Sequence, residues 1–284
     1  MPETITSLLR HAELSFKAAG IPTPRLDAET LMANLLRVDR GYFYAHPETV
    51  VTDETAAAFK AMEARRLKRE PVAYIAGEKE FYSLSFKVTR DTLIPRPETE
   101  MLVEEALRLF KADSRIETLD IGAGSGAIAV TLAKERPAWK ITAVDISPAA
   151  LEVAGFNART HAVADRIEFC LSDIFSNLGG RKFDLIAANP PYVPEGDKDV
   201  SPEAALYEPH SALYAGETGL SVIERIFEGA PEYLTAGGFI AMEIGYKQSK
   251  SVSEMINAAG KFDIVKIAPD LAGIDRVVVA QLKE

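Results

Sequence analysis

A chain of 284 residues with 47% hydrophobic and 26% charged side chains can bury a core, and its length suits one large and one small domain. The formal net charge of −10 is uneven: residues 1–78 hold 10 Lys/Arg against 11 Asp/Glu, residues 79–284 hold 22 against 31. Such acidity repels phosphate backbones, which disfavours direct nucleic-acid binding and points to a protein or small-molecule substrate. No run approaches the ~20 apolar residues of a membrane span, and MPETITSLLR lacks the basic-then-apolar pattern of a secretory signal. Cys170 is the only cysteine, which fits a reducing cytoplasm, and His11, His46, His161 and His210 are too scattered to hold a metal.

In chain order, Ile5, Leu8, Leu9, Ala12 and Phe16 share one helical face, and Gly20 ends that helix. Thr23 and Pro24 read as N-cap and first-turn proline of a second helix carrying Leu26, Ala28, Leu31, Leu35 and Leu36. A third helix is expected over about residues 53–70, closing in Arg65, Arg66, Lys68 and Arg69. That basic end reads either as a solvated terminus complementing the helix dipole or as a contact for an acidic partner. Residues 1–75 are thus expected to form a small all-α domain. KEFYSLSFKVTRDTLI, residues 79–94, alternates like a β-hairpin, making 76–95 a linker.

Residues 96–284 alternate helix and strand. Strands are expected at Thr118–Ile121, Ile141–Asp145, Ile167–Leu171, Phe183–Ala188 and Phe239–Ile244, and helices at Glu98–Phe110, Ala127–Glu135 and Pro148–Thr160. This pattern predicts an α/β domain with a mostly parallel sheet covered on both faces. Phe262–Ile267 and Arg276–Gln281, with only a loop between them, read as a terminal antiparallel hairpin.

TLDIGAGSGAIAV sets a strand, a glycine loop and a helix start in succession. Gly122, Gly124 and Gly126 let backbone approach a ligand beside the free N–H groups of a helix N-terminus. The spacing is neither the dinucleotide fingerprint nor a phosphate-binding loop with its lysine, and a tight structural turn would also use such glycines. Asp145 ends the next strand, 19 residues beyond Gly126, where Rossmann-type folds hold ribose hydroxyls. Its other role, capping the following helix, is already filled by Ser147 before Pro148. Asp173, just past the third strand, reads equally as an acceptor for an adenine amino group and as a loop cap. Taken together in this order, the motif and the two aspartates indicate an adenosyl cofactor.

After FDLIAA comes Asn189-Pro190-Pro191-Tyr192. Successive prolines stiffen the backbone and donate no hydrogen bonds, so the Asn189 side-chain oxygen and the Pro190 carbonyl can converge on one point. A planar amide-type nitrogen is a poor nucleophile because its lone pair is delocalised. Two acceptors on its two hydrogens would orient it toward a sulfonium methyl. Tyr192 would stack on the flat target. A proline-rich turn is the bland reading, and the position beyond the fourth strand argues against it.

The tetrapeptide resembles that of class I methyltransferases acting on adenine, cytosine or glutamine nitrogens. Phe81–Glu100, Tyr207–Leu220 and Asp270–Val278, with the small helical domain and hairpin, are similar to the peptide chain release factor glutamine methyltransferases, the PrmC/HemK family. The resemblance implies a Rossmann-like seven-stranded sheet and S-adenosyl-L-methionine as cofactor. The implied substrate is the glutamine of the Gly-Gly-Gln tip of class 1 release factors. It assigns Asp120, Gly122, Ala123, Gly124 and Gly126 to the cofactor loop, Asp145 to the ribose and Asp173 to the adenine. Asn189 and Pro190 would grip the target amide, with Pro191 and Tyr192 beside it. Arg96 and Glu100 would support the mouth of the site. Ala123 stands where the family often has threonine, which leaves one loop hydrogen bond open. The helical domain is expected to dock the release factor body, and a macromolecular substrate suits a monomer. The rival is an adenine methyltransferase acting on nucleic acid, which would need a basic channel and a flipped base.

Overall fold

The computed structural model describes residues 3–284, which form two compact units. Among the described residues the first comprises 3–78 together with 200–207, the second 79–199 and 208–284.

The helical unit holds α1 (Ile5–Ala18), α2 (Pro24–Leu36), α3 (Gly41–Ala45), α4 (Asp53–Leu67) and α5 (Val72–Ala76). All five apolar residues expected on the first helical face are buried. They pack with Leu31, Met32 and Phe59 into one core. Thr23 precedes α2 but accepts no capping bond; its hydroxyl donates to Asp27 instead (2.7 Å).

The basic end of α4 is solvated only in part: Arg65 and Lys68 are exposed, while Arg66 and Arg69 turn inward. Arg66 is buried, donates to Asp27 at 2.8 Å and lies 3.5 Å from Glu203 in the short helix Pro202–Tyr207. Arg69 reaches the carbonyls of Ala19 and Gly20 and the same Glu203, while Arg65 pairs with Glu70 at 2.7 Å. The helix stops at Leu67 rather than residue 70, and Arg69 takes a left-handed φ of 69°. Three of the four cations therefore brace the unit internally. Truncation of a buried ion pair leaves its partner charge stranded, so Arg66→Ala should destabilise this unit by about 3 kcal/mol. Denaturant unfolding followed by a probe in residues 3–78 checks this; a loss under about 1 kcal/mol would contradict a buried, structural pair.

The larger unit begins with a hairpin of β1 (Glu78–Phe81) and β2 (Leu84–Lys87), Glu78 itself belonging to the helical unit. The hairpin is shorter than expected; residues 88–98 form a loop. Tyr82 and Ser83 both have positive φ, as a two-residue turn matching strand twist requires. Next come α6 (Thr99–Arg108), β3 (Glu117–Ile121), α7 (Ala127–Glu135), β4 (Lys140–Asp145), α8 (Pro148–Thr160), β5 (Ile167–Leu171) and β6 (Phe183–Ala188). The remaining strands are β7 (Leu234–Glu243), β8 (Phe262–Pro269) and β9 (Asp275–Leu282).

The seven strands run β5-β4-β3-β6-β7-β9-β8, all parallel along the chain except β9, which inserts antiparallel between β7 and β8. The α/β sheet with its terminal antiparallel hairpin is thus present. Helices α6 to α8 cover one face, and the helices Ser221–Gly229 and Ser249–Ala259 the other. Strand order reverses between β3 and β6. Loops leaving their carboxyl ends therefore diverge and open a crevice there.

Candidate active site

That crevice is a cleft of about 1130 Å³, counted out to its open mouth. Gly122, Ala123 and Gly124 beyond β3, Asp145 at the end of β4, Asp173 beyond β5, and Asn189, Pro190 and Pro191 beyond β6 all line it. Arg96 joins them from the loop before α6. Asp120, Gly126, Glu100 and Tyr192 do not, and the geometry gives each a different task.

Asp120 lies fully buried beneath the glycine loop and accepts from the Ala129 amide at 3.1 Å. Ala129 sits in the first turn of α7, whose N-cap, Gly126, has no side chain; Asp120 caps the helix from the strand instead. Its other oxygen has no partner. Burial pushes this carboxyl up to about 7, opposed by the Ala129 bond and reinforced by the charge of Asp145. Because the folded value lies above the ordinary value near 4, the folded state holds this proton more tightly than the unfolded state. Asp120 therefore favours folding most at low pH, and that contribution is lost as pH rises from about 4 to about 7. Unfolding free energies at pH 5 and pH 8 should differ by roughly 2 kcal/mol more in the wild type than in Asp120→Asn. Equal differences in the two proteins would contradict a titrating Asp120.

The loop's glycines divide the work. Gly122 and Gly124 hold φ values of 78° and 54° with only distant neighbours, so they keep backbone open toward the cleft. Gly126 is a packing glycine: a Cβ there would lie 3.2 Å from the Cα and Cβ of Ala154 in α8. Asp145 organises the same loop, accepting from the Gly124 amide and the Ser147 amide, each at 2.9 Å. Ser147 caps α8 as expected, its hydroxyl oxygen accepting from Ala150. Asn157, buried in α8, donates to the carbonyls of Ser125 and Lys87, tying the loop to β2. Asp173 pairs with Arg225 at 2.8 Å across the cleft wall, both half exposed, a geometry that contributes little to stability.

Period-two alternation decides what surrounds the tetrapeptide. Ala188 of β6 pairs in register with Met242 of β7, so the next residues, Asn189 and Glu243, come side by side on the α6 face. The Asn189 side-chain nitrogen donates to Thr99 Oγ1 at 3.0 Å, and Thr99, the first residue of α6, donates to Glu243 Oε2 at 2.6 Å. Tyr192 donates to Glu243 Oε1 at 3.1 Å. Burial raises the Glu243 carboxyl above its ordinary value, opposed by these two bonds. Burial and the charge of Glu243 raise the Tyr192 phenol, which keeps it protonated and donating. Tyr192 thus buttresses the site, with its ring on the apolar core.

Gln248 donates to the Tyr192 carbonyl at 2.9 Å, and a Cβ on Gly219 would fall on that same carbonyl oxygen. Among the described residues the Pro190 carbonyl accepts no hydrogen bond. Glu208, buried, accepts from the Ile94 amide and from Arg96 at 2.6 Å, so Arg96 ties the loop before α6 to the segment that follows the tetrapeptide. Glu100 accepts from the Tyr82 amide at 2.8 Å and holds the hairpin turn. Asp270 accepts from Ile274, Ala272 and Arg276, which shapes the turn between β8 and β9.

Thr99, Glu243, Asn157 and Glu208 carry weight that the sequence reading did not assign. Glu243 had a signal: a lone carboxylate within the otherwise apolar strand FIAMEI. The other three look like ordinary surface polar residues until the fold buries or engages them. No helix among the described residues is long and apolar enough to cross a membrane, and no group of three His, Cys, Asp or Glu among them is placed to hold a metal.

A glycine loop, an aspartate ending the second strand and an Asn-Pro-Pro-Tyr segment around one crevice, on this strand order, define a Rossmann-like methyltransferase. Fold comparison agrees: a methyltransferase from Pyrococcus furiosus is 18% identical and superposes with a TM-score of 0.54, covering 79% of this chain and 100% of that one. In sequence, residues 7–77 match the PrmC N-terminal domain and residues 98–207 the methyltransferase small domain. A release factor glutamine methyltransferase of Koribacter versatilis is 44% identical over 283 residues, covering 99% of this chain and 98% of its own. Another, from Coxiella burnetii, is 43% identical over 259 residues, covering 91% and 92%. The chain belongs to the release factor glutamine methyltransferase family.

Proposed function

We propose that the protein transfers the methyl group of S-adenosyl-L-methionine to the side-chain amide nitrogen of the glutamine in the Gly-Gly-Gln motif of class 1 peptide chain release factors. One observation carries the reading. Asn189 spends its side-chain nitrogen on Thr99, so its oxygen and the Pro190 carbonyl remain as two acceptors beside the cleft. An amide nitrogen has two hydrogens to offer them.

The cofactor fits the residues present. The N-terminus of α7 and the open backbone of Gly122 and Gly124 suit close approach of its amino-acid part. Each Asp145 oxygen keeps capacity for a ribose hydroxyl beyond its loop bond. Asp173 borders the space for the adenine, with Ile146 and Ile174 as apolar walls. When bound, S-adenosyl-L-methionine supplies an electrophilic methyl on a sulfonium.

Asn189 and Pro190 hold the target nitrogen by its two hydrogens, turning the lone pair out of conjugation with the carbonyl and toward that methyl. As the C–N bond forms and the C–S bond breaks, the nitrogen turns positive and its hydrogens more acidic. Both acceptors bind more strongly at that moment than before it, the condition for lowering the barrier. One of these protons then leaves to solvent. No base is needed before attack.

The acidic surface favours a protein target over nucleic acid. Incubation with isotopically labelled methyl donor and equal amounts of unmethylated release factor, DNA and RNA tests this choice. Label is expected in the release factor alone; label confined to nucleic acid would transfer the function to an adenine-type target. We further assign the helical unit to docking the release factor body, with surfaces other than the internally paired Arg65, Arg66 and Arg69. The whole factor should then show a KM at least tenfold below that of a short Gly-Gly-Gln peptide. Equal values would contradict docking.

A further inference from the structure

The amide of Asn189 is symmetric in shape but not in chemistry. Turned by 180°, it would aim N–H groups at the target and repel the hydrogens of an amide nitrogen. Something must choose between the two orientations, and side-chain shape alone does not.

The choice can be traced through the hydrogen bonds. Glu243 is almost fully buried, and each of its oxygens takes one hydroxyl, from Thr99 at 2.6 Å and Tyr192 at 3.1 Å. With Glu243 ionised, each of its oxygens can only accept, so Thr99 spends its single hydrogen on Glu243. The Thr99 oxygen can then only accept from its other neighbour, and the atom of Asn189 lying 3.0 Å away must be the nitrogen. The Asn189 oxygen is left for the cleft. For the ionised Glu243 this order follows from the donors and acceptors available.

Resting on the methyl-transfer reading above, we infer that Thr99 and Glu243 are positioning residues that fix which end of the Asn189 amide meets the substrate, and so restrict the site to targets presenting N–H donors. A side-chain amide satisfies that demand; a carboxylate of the same shape does not. Glu243 acts at two removes and touches no reacting atom. Its charge still sets the direction of the whole chain.

The isosteric variant Glu243→Gln is the sharpest test. Its amide no longer offers an acceptor to both hydroxyls: with the NH2 at Thr99, that hydroxyl turns round to donate to the Asn189 oxygen, so the wild-type order is no longer imposed. The Asn189 nitrogen then faces the target. Steady-state kinetics with a release factor should show kcat reduced about 30-fold or more, with KM and affinity for S-adenosyl-L-methionine within about threefold of wild type. Thr99→Val should lose kcat comparably, and Thr99→Ser, which keeps the hydroxyl, should stay within about threefold. The double variant Thr99→Val/Glu243→Gln should be no slower than the slower single variant, because both break one chain. A kcat for Thr99→Val within threefold of wild type would overturn the inference. So would Thr99→Ser falling as far as Thr99→Val, since packing rather than the hydroxyl would then matter. Wild-type enzyme inert on the release factor would instead overturn the functional reading itself, and this inference with it.

Discussion

Asn189→Ala is expected to fold normally and to lose about 10³-fold in kcat on a release factor, close to 4 kcal/mol of barrier. Two effects act together. The variant removes one of two acceptors at the target nitrogen, and it leaves the Thr99 oxygen without the donor it now receives at 3.0 Å. The site is half-buried and lies beyond the last residue of β6, so truncation leaves the sheet core untouched. Binding of S-adenosyl-L-methionine should change little, because the glycine loop and Asp145 are independent of this contact. Activity within tenfold of wild type would mean that the tetrapeptide is a turn and that the grip on the amide lies elsewhere.

Asp145→Ala should act on the other half of the reaction. Its carboxylate holds the amides of Gly124 and Ser147 at once, so one side chain fixes both the left-handed glycine loop and the start of α8. Without it the loop loses its anchor, and the ribose contact assigned above disappears as well. Affinity for S-adenosyl-L-methionine measured by calorimetry is expected to fall about 100-fold, near 3 kcal/mol. Asp145→Asn keeps one acceptor oxygen and should fall between. A dissociation constant for Asp145→Ala within threefold of wild type would remove Asp145 from the cofactor site.

The sequence was most legible where a local signal and the fold agree. The strands at Ile167–Leu171 and Phe183–Ala188 and the helices Ala127–Glu135 and Pro148–Thr160 are found where periodicity and the Ser147-Pro148 cap put them. Glycines at positive φ and prolines without donors carry their geometry in the residue type itself, so the loop at Gly122–Gly126 and the segment after β6 could be read directly. The short helices at Gly41–Ala45, Pro202–Tyr207 and His210–Leu213 were not legible, because four to six residues cannot display a helical period. Strand β7 starts at Leu234, earlier than the expected Phe239, and Gly237 and Gly238, poor strand formers, lie within it. Polar roles were hidden for a further reason. Arg66 looks like any cation at a helix end until Asp27 and Glu203 arrive from distant parts of the chain. Asp120 belongs to the glycine motif, yet it caps α7 from below and stays out of the cleft. Thr99 and Glu243 meet Asn189 only through the register of β6 on β7, which no local pattern encodes.

The central claim concerns one atom, and peptide mass spectrometry can locate it. Unmethylated class 1 release factor is incubated with the enzyme and S-adenosyl-L-methionine, digested, and fragmented across the Gly-Gly-Gln segment. A single added methyl on that glutamine's side chain, absent with Asn189→Ala, is the predicted result. A methyl on any other residue, or one that persists in Asn189→Ala, would contradict the assignment of target and grip.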